Sequence, residues 1–255
     1  MILRRLAQHL KEQNWTSITI EFVLLVLGVF LGIQAANWNE ERNERIAEIG
    51  YLGGLQKDVD YSIGSLQHMI QRMEEQQAAR EKLHAFATDP EATLPPAERD
   101  QLVLSGLFYL AQVDINAVTF ETLKSSGRMS VIHSPSLETE LQSLSANVAT
   151  ALRDQADEVQ TTYLFSDPLL IRNIDMAGVF RQPNRAGRPN IPWLKEGASD
   201  PVTPHIMKSQ EFANVLLYRS FFTDSRLRGA RSMLEQHQRI ATLIKARQSE
   251  LGAAP

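Results

Sequence analysis

The stretch Trp15–Trp38, WTSITIEFVLLVLGVFLGIQAANW, constrains this chain more than any other. At the rise of an α-helix the two indoles lie about 34 Å apart, enough to cross a hydrocarbon core of about 30 Å. Tryptophan prefers the headgroup layer on either side of that core. The sequence therefore predicts one transmembrane helix near the amino terminus, anchored at its interfaces by Trp15 and Trp38 and taking the lipid bilayer as its first partner.

Within the span, Ser17, Glu21, Gly28, Gly32, Ala35 and Asn39 fall on one small or polar arc at 100° per residue, and bulky apolar side chains cover the rest. Gly28 and Gly32 make a GxxxG spacing, which lets two backbones approach closely in lipid, where burying apolar surface between helices gains little. That face predicts packing through Ser17, Glu21, Gly28, Gly32 and Ala35, against a second copy or another membrane protein. Glu21 is the anomaly, since an ionisable group costs up to about 3 kcal/mol in a bilayer. Three readings fit it: a carboxyl hidden in a helix pair, one reaching the interface from a lone anchor, or a proton carrier beside a partner channel.

Arg4, Arg5 and Lys11 precede the span, whereas Glu40, Glu41, Glu44 and Glu48 outnumber Arg42 and Arg45 after it. The positive-inside bias places residues 1–14 in the cytoplasm as a basic amphipathic segment, and residues 39–255 outside, in the periplasm of a bacterium. Glu21 interrupts the apolar run and only Gln34-Ala35-Ala36 resembles a cleavage site, so the span reads as a retained anchor rather than a signal peptide. The chain has no cysteine, which excludes disulfides and thiolate chemistry. The whole chain carries −4, and residues 1–37, with three basic and two acidic side chains, carry +1, which leaves −5 beyond the membrane and gives no electrostatic bias toward nucleic acid.

Beyond the span the pattern is helical, and the fold class is all-α: the membrane helix continues into an elongated extracytoplasmic bundle with long first and last helices. Ile46, Ile49, Leu52, Val59, Ile63, Leu66, Ile70 and Met73 mark an apolar seam through Phe86. Gly53-Gly54 interrupts it and predicts either a hinge or a close-packing point. A loop over Thr88–Pro96 leads to a second helix and an apolar run, Leu102–Ala111. Thr119–Ser126 reads as a short helix stopped by Gly127, and Ser134-Pro135 as the cap and first turn of a helix ending before Asp167-Pro168. Prolines and glycines between about 175 and 204 predict a long irregular loop ordered by Trp193 packing on the bundle, with Arg181, Arg185 and Arg188 as a possible anion contact. Ser209–Gly252 reads as the last long helix, pairing antiparallel with the first.

A search for chemistry returns nothing. The six histidines form no metal-ligand spacing, and there is no P-loop, no GxGxxG and no nucleophile elbow. Asp58-Val-Asp60 and Ser125-Ser126-Gly127 read as a solvated helix face and a helix end. No cofactor is expected. The motif Glu21-Phe22 through Gly28-Val-Phe to Ile33-Gln-Ala-Ala-Asn-Trp-Asn-Glu40, with Phe120-Glu-Thr-Leu-Lys-Ser-Ser-Gly127 and Ile132, resembles a family of bacterial membrane-anchored proteins catalogued as a domain of unknown function. The resemblance implies a single-pass inner-membrane protein with a helical outer part, and no activity or catalytic residue carries over from it.

The sequence thus predicts a non-catalytic interaction or scaffold protein of the bacterial inner membrane, acting through self-association or a membrane partner. The alternative is a sensory bundle that binds a ligand near Tyr109, Phe120 and Trp193 and signals through a membrane partner.

Overall fold

A computed structural model describes residues 15–180, 191, 193 and 204–252, without side-chain detail at 15–19, 178 and 204. It is all-α, with no strand among the described residues. Helix α1 runs Trp15–Thr88 and α2 Pro96–Val103, which passes into a π-helical turn at Leu104–Phe108. An extended segment leads to α3, Val118–Ser125, then α4, Pro135–Thr161, and a second π-helical turn at Thr162–Ser166. The short helices α5 Asp167–Asn173, α6 Met176–Phe180 and α7 Pro204–Met207 precede α8, Gln210–Glu250. Contacts divide the chain into two compact units, one ending at Tyr51 and the other beginning at Leu52.

In the first unit, α1 contains an 18-residue window of mean hydropathy 1.9, none of it buried against protein. By length and composition this helix can cross a membrane. Phe22, Leu24, Leu25, Leu27, Phe30, Leu31 and Ile33 are all exposed, as are Glu21, Ala35 and Trp38. Gly28 and Gly32 have open space where a Cβ would stand.

In the second unit, α1 and α8 run antiparallel. Gln77 Nε2 donates to the carbonyl of Ser220 at 3.1 Å, and Arg231 meets Glu74 at 2.7 Å. Leu66, Met69 and Met73 share one core cluster with Leu227, Ala230 and Met233; Leu83 and Phe86 share another with Phe212 and Leu216. From Leu52 onward one row of buried positions on α1 alternates by three and four, Leu52, Leu55, Val59, Ser62, Leu66, Met69, Met73, Gln76, Arg80, Leu83 and Ala87, with Asp58, Ala79 and Phe86 buried beside it. That is a heptad seam. The α8 seam is equally regular: Phe212, Leu216, Arg219, Thr223, Arg226, Ala230, Met233, His237, Ile240 and Ile244. Ile63 and Ile70, expected on the seam, lie beside it and half-buried, and Ile46 is exposed; polar Ser62, Gln76 and Arg80 hold seam positions instead.

The glycine pair does not break α1. Gly53 faces open space, while a Cβ on Gly54 would stand 2.8 Å from Thr119 Oγ1 and 2.9 Å from Thr119 Cγ2. Gly54 is the close-packing point for α3. That helix has no cap of its own at Ala117; the Asp58 carboxylate on α1 accepts from Thr119 N–H at 2.7 Å. Its other end is a Schellman motif, with Arg128 N–H donating to Leu123 O at 2.9 Å, Gly127 N–H to Lys124 O at 3.2 Å, and Gly127 at φ +67°. Only glycine occupies that conformation without strain.

Two expectations are corrected. Helical rotation does not stop before Asp167-Pro168: the wider π-turn carries it through, and Pro168 falls in the first turn of α5, where its missing N–H costs nothing. Within the predicted irregular loop, Met176–Phe180 is helical, and Trp193 is 80% exposed rather than packed on the bundle. Ser134 does precede Pro135 at the start of α4, although its side chain makes no capping bond. Ser209 caps α8 by accepting from Phe212 N–H at 3.1 Å.

Candidate functional site

The extended segment between Tyr109 and Ala117 threads past α1, α4 and α8, and its backbone polar groups must find partners there. Side chains supply them. Gln76 Nε2 donates to Tyr109 O at 3.0 Å, Gln155 Oε1 accepts from Val113 N–H at 2.7 Å, and Ser62 Oγ accepts from Asn116 N–H at 3.0 Å. Arg226 Nη2 donates to Ala111 O. These bonds explain the polar residues on the two seams at Ser62 and Gln76, and part of the role of Arg226.

The remaining seam charges form one cluster. Glu158 on α4 is 1% exposed, and Arg80 of α1 and Arg219 of α8 are 0% exposed, with Arg226 close behind. Glu158 Oε2 pairs with Arg226 Nη1. Glu158 Oε1 accepts from the Thr223 hydroxyl at 2.9 Å and lies 3.6 Å from Arg219 Nη2 and 4.0 Å from Arg80 Nη2. Arg80 is held by four acceptors: Gly106 O at 2.7 Å from Nε, with Thr223 Oγ1 at 2.6 Å, Arg219 O at 3.3 Å and Gln77 Oε1 at 3.3 Å from Nη1. Gly106 makes the first of these possible, because a Cβ there would press on Ala79 Cβ and Arg80 Cγ, each 3.3 Å away.

Three buried arginines thus surround one carboxylate. Among the described residues, Arg80 Nη2 and all three side-chain nitrogens of Arg219 have no hydrogen-bond partner, and neither has the hydroxyl of fully buried Ser166. Each orphaned buried group costs about 1–3 kcal/mol, and more when charged. Burial lowers Arg80 to about 9, with Arg219 and Arg226 adding to the fall and Glu158 opposing it. Burial also lowers Arg219, against the pull of Glu158 and Asp167. Arg80 remains a cation at neutral pH. Burial raises the Asp167 carboxyl, and the charge of Arg219 partly offsets that.

Chemically the cluster can fasten helices and attract an anion. It contains no nucleophile beside a base, and no group of three metal-ligating side chains occurs among the described residues. His237 is 1% exposed; its Nδ1 pairs with Met233 O at 2.8 Å and its Nε2 has no partner. Burial lowers its pKa, with the Met233 bond opposing.

A second feature lies on the surface. Tyr163, Leu164 and Phe165 of the second π-turn and Leu217, Tyr218 and Phe221 of α8 are all exposed. Phe165 stands edge-on to Tyr218 at 5.8 Å, Tyr218 to Phe222 at 5.2 Å, and Phe222 to Phe221 at 5.6 Å. A groove of about 570 Å³ opens beside Phe165 and Tyr218, lined also by Glu211, Asn214 and Val215.

The residues expected to mark a ligand pocket do not converge. Tyr109 lines a cavity of about 150 Å³ with Arg72, Glu75, Gln76, Gln101, Leu104 and Ser105; Phe120 is buried and Trp193 is exposed, and neither reaches that cavity. Arg181, Arg185 and Arg188 lie outside the described residues, as do the side chains of Trp15 and Ser17. The arginine cluster has no local signature in the sequence because its members come from three distant helices: Glu158 stands 78 positions after Arg80, and Arg219 stands 61 after Glu158. One signal was available: on a three-four seam, Arg80, Arg219 and Arg226 fall at core positions.

No protein-family model, curated protein or solved structure matches this chain.

Proposed function

We propose that this chain is a single-pass bacterial inner-membrane protein that works by contact rather than catalysis, assembling with further copies of itself. The amino terminus lies in the cytoplasm and the bundle in the periplasm, by the positive-inside bias around the span. The observation that carries the reading is the exposed row of rings Phe165, Tyr218 and Phe221, joined edge to edge through Phe222. Contiguous exposed apolar surface of this kind marks interaction sites in soluble domains, and aromatic rings dominate interface energetics. Its occupant is a second copy of the chain. Confinement to one membrane raises the effective concentration of identical copies, and Gly28 and Gly32 leave the membrane helix an open face for the same partner.

The test is the mass of the detergent-solubilised full chain by light scattering. One discrete oligomer is expected, reduced by Gly28→Leu with Gly32→Leu and reduced independently by Phe165→Ser with Tyr218→Ser and Phe221→Ser. A monomer at every concentration sinks the reading. Because the chain lacks cysteine, a single cysteine introduced near the carboxy terminus reports topology: labelling of intact cells by a membrane-impermeant maleimide, after outer-membrane permeabilisation, is the expected result.

A further inference from the structure

The buried cluster is incompletely neutralised. Arg80, Arg219 and Arg226 face the carboxylate of Glu158, and Asp167, whose charge also acts on Arg219, is half-buried. The acceptors it contains are already engaged. Glu158 Oε2 takes Arg226, Gly106 O takes Arg80 Nε, and Ala111 O takes Arg226 Nη2. Among the described residues, Arg80 Nη2 and Arg219 Nε, Nη1 and Nη2 make no hydrogen bond, with Glu158 Oε1 at ion-pair distance of 4.0 Å from Arg80 Nη2 and 3.6 Å from Arg219 Nη2, and Ser166 Oγ is likewise unpaired. Ser166 adjoins Asp167, which lies within the electrostatic reach of Arg219.

We propose that the bundle interior binds a small monovalent anion of chloride size at the guanidinium groups of Arg80 and Arg219. Water would fill the orphaned donors but would leave the surplus positive charge in place; an anion answers both. With Asp167 at the rim offsetting one charge, a single negative charge completes the balance. Full enclosure of Arg80, Arg219 and Ser166 favours an ion of one or a few atoms over a bulky one. Both π-helical turns border the site: the first supplies the Gly106 carbonyl to Arg80 and the second ends at Ser166. Such turns recur at functional sites because they displace backbone and side chains from the regular ladder. The ion ties α1 to α8 beside Glu158 of α4, so its occupancy sets how firmly these three helices hold together. The site lies wholly within residues 52–252 and is independent of the membrane and assembly reading.

The experiment follows thermal unfolding of the full chain in detergent, exchanging sodium gluconate for sodium chloride at constant ionic strength. A saturable rise in midpoint of about 3–5 °C is expected once chloride exceeds its dissociation constant about tenfold. Arg219→Met should abolish the dependence. Equal midpoints in the two salts, or an Arg219→Met variant that keeps the chloride effect, would overturn the proposal. Should that variant fail to fold, the chloride NMR line width measured on the native protein decides: broadening displaced by bromide supports the site, and none overturns it.

Discussion

Arg226 bridges two elements with one guanidinium, Nη1 on the Glu158 carboxylate of α4 and Nη2 on the Ala111 carbonyl of the extended segment. The segment is thereby fixed against α4 and α8 by a residue that also neutralises the Glu158 carboxylate of the cluster. Removing either partner leaves a buried charge uncompensated, and such losses run to about 3–5 kcal/mol. Glu158→Gln, which keeps the shape and removes the charge, is expected to destabilise the bundle by that amount in urea unfolding. A loss under about 1 kcal/mol would show that the cluster is solvated.

Adjacent glycines on α1 should respond in opposite directions. Gly53→Ala meets open space and gains helix propensity of about 1 kcal/mol. Gly54→Ala drives a Cβ into Thr119 and should cost about 1–3 kcal/mol. Combining it with Thr119→Ala, which removes both atoms under 3 Å, should recover most of that cost in a double-mutant cycle.

Gly127→Ala should destabilise by about 1–2 kcal/mol, because the Schellman turn holds this position at positive φ, where a Cβ crowds the following carbonyl. Gly127→Asn should cost less, since asparagine tolerates the left-handed region better. Equal losses in the two variants would place the cause in packing instead of backbone conformation.

His237 sets a pH dependence. Its folded pKa lies below the unfolded value of about 6.5, so the unfolded chain takes up the proton first as pH falls. Stability is expected to be constant between about pH 7 and pH 8 and to decline below about pH 6.5, ceasing to fall once the folded form also protonates. Asp167, raised by burial, acts with the opposite sign and only in the more acidic carboxylate range. Unfolding midpoints across that range should lose their decline in His237→Leu; an unchanged profile would assign it to other groups.

Much of the architecture was legible because it is local. The breaks at Thr88 and Pro96, the stop at Gly127 and the start at Ser134-Pro135 depend on φ preferences and missing donors within a few residues, and each stands where the sequence placed it. The candidate site was not legible. A scan for apolar periodicity passes over Arg80, Arg219 and Arg226, which count as solvated until the seam is followed through them, and it admits Ile63 and Ile70, which flank the core.

By itself the sequence determined an all-helical chain with one apolar span between Trp15 and Trp38, since hydrophobic period and length are properties of a single segment. Only the tertiary structure decided which polar residues went inside. The antiparallel meeting of α1 and α8 and the extended segment laid beside them bring an orphaned backbone and Glu158 to the same place, and buried arginines are tolerated only where such acceptors converge.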